Sequence, residues 1–172
     1  MGLADCIEDT FPELKEIKSE DLRNKVVEVY CKAMMEGGWD SFEDLPFTKV
    51  IKTDISYVEH VRIVTNLAIR SAKTLLEFGK IKINMDYLVA GGLLHDVGKL
   101  FEYSDIQKHD KLVRHPFSGA GLAMACHMPA EIVHIIAMHA KEGDLGKRIP
   151  EAVIVHHCDF IHFETVKSLT GQ

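Results

Sequence analysis

The adjacent pair His95-Asp96 closes an apolar run, Gly91-Gly92-Leu93-Leu94, and Val97-Gly98-Lys99-Leu100 follows at once. Leu93 and Leu94 read as buried, which puts an imidazole and a carboxylate at the edge of the core. A carboxylate there is costly unless a cation or a dense hydrogen-bond shell compensates it. A metal ion does so, and His with Asp is a common mixed ligand pair. Further candidates are His60, His115, His139 and Asp159. Taken singly, each has a structural explanation: a core histidine bonded to a carbonyl, an aspartate in a cap or ion pair, a histidine at a helix end. Taken together, four histidines and two carboxylates at inward or helix-end positions point to one inorganic centre. Hard carboxylates and borderline imidazoles suit Fe, Mn, Zn or Ni without choosing among them.

The elements that must position these groups read as helices. Ser19 can cap a helix over 20–36 that Gly37-Gly38 ends, with Leu22, Val26, Val29, Tyr30, Ala33 and Met34 in one stripe. Residues 37–55 lack a sustained period and read as a loop packed by Trp39, Phe42 and Phe47. Ser56-x-x-Glu59 is a capping box opening a helix over 57–78. Its core stripe runs Tyr57, His60/Val61, Val64, Leu67/Ala68, Ala72 and Leu75, so His60 points inward. Asn84 caps a helix over 85–97 that carries His95-Asp96, and Gly98 ends it. Residues 101–114 are polar, with Lys108, His109, Asp110 and Lys111 among them, and suit a loop over the site. Pro116 fits the first position of a helix over 116–127, leaving His115 at its mouth. Helices over 130–140 and 150–167 follow, and Asp159 lies on the apolar line of the last. Residues 1–18 hold a short helix or turn around Pro12. No strand shows convincing alternation.

Composition narrows the classes. A length of 172 residues suggests one domain over 1–172, with a helical and loop extension at 1–55 and a metal-binding core at 56–167. A net charge of −6 provides no basic field for duplex nucleic acid. Cys6, Cys31, Cys126 and Cys158 are scattered, without a Cys-x-x-Cys pair, which argues against a thiolate zinc site and fits a reducing cytosol. No apolar run approaches the roughly 20 residues that span a bilayer, and the N-terminus lacks a signal pattern. The expectation is a cytoplasmic protein without membrane partners.

The succession His60, His95-Asp96, His115, His139, Asp159 resembles the HD superfamily of metal-dependent phosphohydrolases and related oxygenases. The resemblance covers about residues 56–167 and implies an all-α bundle of about six to seven helices. It implies that His60, His95, Asp96 and Asp159 bind a first divalent transition metal. It further implies that His115 and His139 bind a second, with Asp96 bridging and catalytic, and that Lys99 contacts an anionic substrate. Two ions about 3.5–4 Å apart can share a hydroxide that attacks phosphorus. Lys99 would then offset the growing negative charge. Arg114 and Lys141 are further candidates for the negative end of the substrate. Second-metal residues His139-Ala140-Lys141-Glu142-Gly143-Asp144 are similar to those of cyclic-dinucleotide phosphodiesterases but lack their Gly-Tyr-Pro extension. With little chain after Asp159, a small anionic substrate is expected, held partly by the 37–55 and 101–114 loops. The expected function is a metal-dependent hydrolase of a phosphate mono- or diester. The alternatives are a mixed-valent di-iron oxygenase of the same superfamily and a non-catalytic metal-bearing sensor. His156 shares the face of Asp159 and suits a supporting role; His134 faces away from His139. His109, His127, His157 and His162 read as structural or surface residues, and Met34, Met124, Met128 and Met138 as core filler.

Overall fold

The computed structural model describes residues 2–106 and 112–171. Its elements are α1 (Leu3–Thr10), a 3-10 turn (Pro12–Glu16), α2 (Glu20–Gly37), α3 (Tyr57–Phe78), α4 (Met85–Leu94), α5 (Lys99–Glu102), α6 (His115–Ala125), α7 (Ala130–Met138), a second 3-10 turn (Lys141–Gly143) and α8 (Pro150–Thr170). The fold is all-α. Among the described residues, β pairing is limited to an isolated bridge between Pro46 and Ser56. The six longer helices other than α1 form the expected bundle, with α1 and the one-turn α5 in addition.

The centre of the bundle is α4. Its residues from Leu88 to Leu94 are all buried, and it packs on α2, α3, α7 and α8. An all-round apolar helix is stable only when covered on every side, and Gly91-Gly92 let its neighbours come close. The caps follow local chemistry. Ser56 Oγ accepts from Glu59 N at 3.2 Å, and Glu59 Oε2 accepts from Ser56 N at 2.8 Å. Asn84 Oδ1 accepts from Tyr87 N at 3.2 Å, and Ser19 Oγ from Leu22 N at 3.3 Å. Each such cap is worth about 1 kcal/mol. The 37–55 segment is packed by aromatics: Phe42 meets Phe11, Tyr30 and Tyr57, while Phe47 sits with Ile51 and Val166.

The structure corrects several expectations. The helix bearing the central pair ends at Leu94, not 97, because the chain turns at 95–98. Gly98 does not end a helix; it precedes α5, so Phe101 and Glu102 are helical rather than loop. The helix expected over 116–127 begins at His115 and ends at Ala125; that over 130–140 stops at Met138, and the last runs on to Thr170. Leu75 and Met124 are exposed rather than core. The stretch Lys108 to Lys111 of the expected loop, with His109, lies outside the described residues.

One close approach needs glycine. A Cβ on Gly98 would lie 2.1 Å from the His115 carbonyl oxygen and 2.7 Å from Gly119 N. The bare backbone therefore lets the α4–α5 turn lie directly on α6 and bring His115 to Asp96.

Candidate metal centre

Each helix delivers its side chain by local rules. His95 and His139 are the residues immediately after α4 and α7, and both keep helical dihedrals. Each turns its Nδ1 back onto a carbonyl three residues earlier, His95 to Gly92 O at 2.6 Å and His139 to Ile136 O at 2.7 Å. The last carbonyls of a helix lack intrahelical donors, so the Nδ1–H satisfies one of them. That fixes the tautomer and leaves an Nε2 lone pair aimed into the bundle. Asp96 follows His95 at the mouth of the turn. His60 comes from the first turns of α3, His115 opens α6, and Asp159 lies midway along α8.

All six expected ligands converge. His60, His95 and Asp96 form one group, and Asp96, His115 and His139 form another; within each, the candidate ligand atoms lie within 4.8 Å of one another. The two oxygens of Asp96 divide between them. Oδ2 is 3.0 Å from His60 Nε2 and 3.4 Å from His95 Nε2. Oδ1 is 3.3 Å from His115 Nε2 and 3.5 Å from His139 Nε2. Asp159 Oδ1 joins the first group, 3.2 Å from His60 Nε2. This is the placement that a bridging Asp96 requires. His60, His95, Asp96 and His139 are essentially without solvent exposure.

The donor set fits divalent metal ions. Spacings of 3.0–3.5 Å between donors are those of neighbouring ligand atoms around a cation with bonds of about 2.0–2.2 Å. The Nε2 of His139 is buried and makes no hydrogen bond. His95 Nε2 faces His60 Nε2 at 3.2 Å. A lone pair stranded in the core beside other lone pairs and a carboxylate is unfavourable without a cation among them.

Charge around Asp96 is compensated from another side as well. Lys99 Nζ bonds Asp96 Oδ2 at 2.5 Å and the Phe47 carbonyl at 2.9 Å, and is buried. Burial alone would raise the Asp96 carboxyl, but Lys99 and the imidazoles hold it well below the usual carboxylate range. Burial would lower the Lys99 ammonium, and Asp96 more than offsets this, so it rises. Asp159 is likewise drawn below its ordinary value by His60 despite burial. Lys99, expected to meet substrate, thus has its ammonium turned onto the carboxylate and loop 37–55.

Two supporting residues escaped the reading of the sequence. Glu102 Oε2 accepts from His115 N at 2.8 Å and bonds His115 Nδ1 at 2.7 Å. Burial opposes its ionisation, yet these bonds keep its carboxyl below the ordinary value. A carboxylate behind a ligand imidazole raises its basicity and fixes its orientation. No local spacing rule connects Glu102 to His115, because the pairing is made across the α5–α6 contact. His162, read as structural or surface, is buried with its Nδ1 2.8 Å from His60 Nδ1. Its spacing of three from Asp159 was a usable signal, since both then share one face of α8. His156 Nδ1 donates to the His139 carbonyl at 2.6 Å, which supports the α7 end rather than a ligand ring. His134 Nε2 accepts from Ile149 N at 3.3 Å, away from the cluster.

The cluster forms the floor of a cavity of about 650 Å³. The buried Asp96, Lys99 and His115 line it together with Asp159; exposed Lys49, Arg114, Lys141 and Lys167 line it beside the carboxylates of Glu102 and Glu142, and Phe47, Tyr103, Phe160 and Phe163 supply aromatic surface. Arg114 lies 3.5 Å from Glu102 and 3.6 Å from Glu142 and is half exposed. Lys49 stacks on the Tyr103 ring at 4.4 Å, which ties the 37–55 loop to the end of α5.

The model of the HD domain matches residues 57–164. This chain belongs to the HD domain family. HD domains bind divalent metals, which accords with the donor set above. The chain is also 34% identical, over 165 residues, to dihydroneopterin 2',3'-cyclic phosphate phosphodiesterase of Methanocaldococcus jannaschii. The alignment takes in 84% of this HD-domain chain and 64% of that protein, so the chain spans less than two thirds of its relative's length. No solved structure gives a significant match. No helix of the described HD-domain residues is long and apolar enough to cross a membrane.

Proposed function

We propose that this HD-domain chain is a metal-dependent phosphohydrolase acting on a small phosphodiester, with His60, His95, Asp96 and Asp159 holding one divalent ion and Asp96, His115 and His139 a second. The observation that carries the reading is the division of Asp96: one oxygen serves each histidine group at the base of a cavity lined by both basic and acidic side chains. The similarity to a cyclic phosphate phosphodiesterase supports the same reaction class. By that similarity the proposed substrate carries a 2',3'-cyclic phosphate on a compound with a planar heterocycle.

Bound at the two groups, divalent ions supply Lewis acidity toward the phosphoryl oxygens and lower the pKa of a water molecule to near neutral. The chain's own residues do the rest. Arg114 and Lys141 line the cavity and can pair with non-bridging phosphate oxygens, Arg114 as a two-pronged donor. Lys99 holds Asp96 ionised and oriented, so both carboxylate oxygens keep their division. Burial of His60, His95, Asp96 and His139 keeps bulk water from the charges, which strengthens every electrostatic contact inside. The aromatic walls suit the planar part of the substrate, since ring stacking adds about 0.5–1.5 kcal/mol beyond burial. Water adds across the P–O bond: its hydroxyl goes to phosphorus and its proton to the leaving oxygen. A cyclic diester thereby becomes a monoester of the same molecule.

The test is reconstitution of metal-stripped protein with Fe(II), Mn(II), Zn(II) or Ni(II), each assayed on mono-, di- and 2',3'-cyclic phosphate esters with and without oxygen. Turnover of a cyclic diester that is unchanged under argon is the expected result. Turnover that requires oxygen, or none on any ester with two ions bound, would overturn the reading.

A further inference from the structure

The four histidines of the centre are not held alike. His95 and His139 give their Nδ1–H to backbone carbonyls, which can only accept. His115 gives its Nδ1–H to the Glu102 carboxylate. His60 alone faces a partner that can either donate or accept: its Nδ1 lies 2.8 Å from the Nδ1 of His162. At that distance one nitrogen carries the hydrogen and the other the lone pair. The pair is confined. The Phe47 ring lies 4.2 Å from the His60 ring and 5.2 Å from that of His162, and both imidazoles are buried.

We propose that His162 is a positioning residue that sets the tautomer of His60 and thereby the affinity of the ion on the His60 side of Asp96. This rests on the reading that the two histidine groups hold divalent ions. With a cation on its Nε2, His60 must carry its hydrogen on Nδ1, and His162 must then accept at Nδ1 and carry its own hydrogen on Nε2. With no cation, His60 Nε2–H can donate to Asp96 Oδ2 or Asp159 Oδ1, at 3.0 and 3.2 Å, while His162 donates from Nδ1. Occupancy of that side is therefore linked to the arrangement of hydrogens in the His60–His162 pair. No equivalent choice exists at His95, His115 or His139. Removing the acceptor leaves a metal-bound His60 with a buried, unpaired N–H. Loss of such a supporting contact lowers metal affinity by about 10–100-fold.

The experiment is equilibrium dialysis of the whole protein against graded free Mn(II), with bound metal read by elemental analysis. Three proteins are compared: unaltered, His162→Phe and His162→Asn. The amide oxygen of the asparagine can stand where the Nδ1 acceptor was. The expected result is two ions on the unaltered protein and one step weakened about 10–100-fold in His162→Phe, with the other unchanged. In His162→Asn the weakened step recovers most of its affinity. A His162→Phe protein with both steps unaltered, or both weakened equally, would overturn the proposal while leaving the metal centre standing. Absence of Mn(II) binding by the unaltered protein would overturn both. A readout without substitution covers the case of a misfolded variant. In the Zn(II)-loaded protein, imidazole ¹⁵N shifts should place the hydrogen of His162 on Nε2; a hydrogen on Nδ1 would refute the assignment.

Discussion

On one side of Asp96 stand His60 and His95, both sealed from solvent, with Asp159 at their edge; on the other stand His139, equally sealed, and His115, which reaches the cavity. The first side is assembled by α3, α4 and α8, two of them the longest helices of the chain. The second is assembled by the start of α6 and the end of α7, where a 3-10 turn and a loop begin. Their supports differ in charge as well. His60 rests on a neutral imidazole, whereas His115 rests on the Glu102 carboxylate. The longest helices keep one side enclosed, and a charged residue from a single helical turn steadies His115 on the other.

The largest effect falls where the two sides meet. Asp96→Asn keeps the shape but removes the charge that both sides share. Two ions should fall to none, with activity at background; elemental analysis showing two retained ions would break the bridging picture outright. Next comes separation of the sides. His139→Ala should lose one ion and keep the other, and His60→Ala should do the reverse. Equal loss of both ions from either variant during timed chelation would show that the two sides act as one site.

A smaller effect is expected from the backbone contact behind the second side. Gly98→Ala forces a Cβ against the His115 carbonyl. Overpacking of this kind destabilises by about 1–3 kcal/mol, a fall in Tm of about 2–12 °C for a chain of this size. Calorimetry checks the stability, and metal titration should show the His115 side weakened first. Smallest is Glu102→Gln, which keeps a hydrogen bond to His115 and removes only its charge. The ion on that side should weaken by about tenfold, at the low end for loss of a supporting partner, with the His60 side unchanged. Equal weakening on both sides would show that the carboxylate acts through the general field rather than through His115.

Much of this was legible in the residues themselves. Helix starts were marked by Ser19, Ser56 and Asn84, because a cap is a contact between residues three apart. The inward direction of His60 and Asp159 followed from helical period, and the buried character of α4 from an unbroken apolar run. Boundaries at the pair itself were less legible. The turn at 95–98 interrupts what periodicity alone extends to 97, because the backbone there bends to lie against α6, a contact between distant parts of the chain. Leu75 lies on its stripe and Met124 has a core type, yet both are exposed, since period and residue type tell which face is apolar but not how far the covering helices reach.

What the sequence alone determined is the inventory: an all-α chain, six candidate ligand side chains at inward or helix-end positions, and the resemblance they carry. These depend on local period and residue chemistry, both of which act within a few residues. Tertiary structure alone decided how Asp96 divides its oxygens, that Lys99 turns onto Asp96 rather than into open space, and that Glu102 and His162 stand behind His115 and His60. Those pairings join residues up to 102 positions apart. Apart from the local Lys99–Asp96 pair, they depend on how whole helices pack, and no spacing within one helix encodes that.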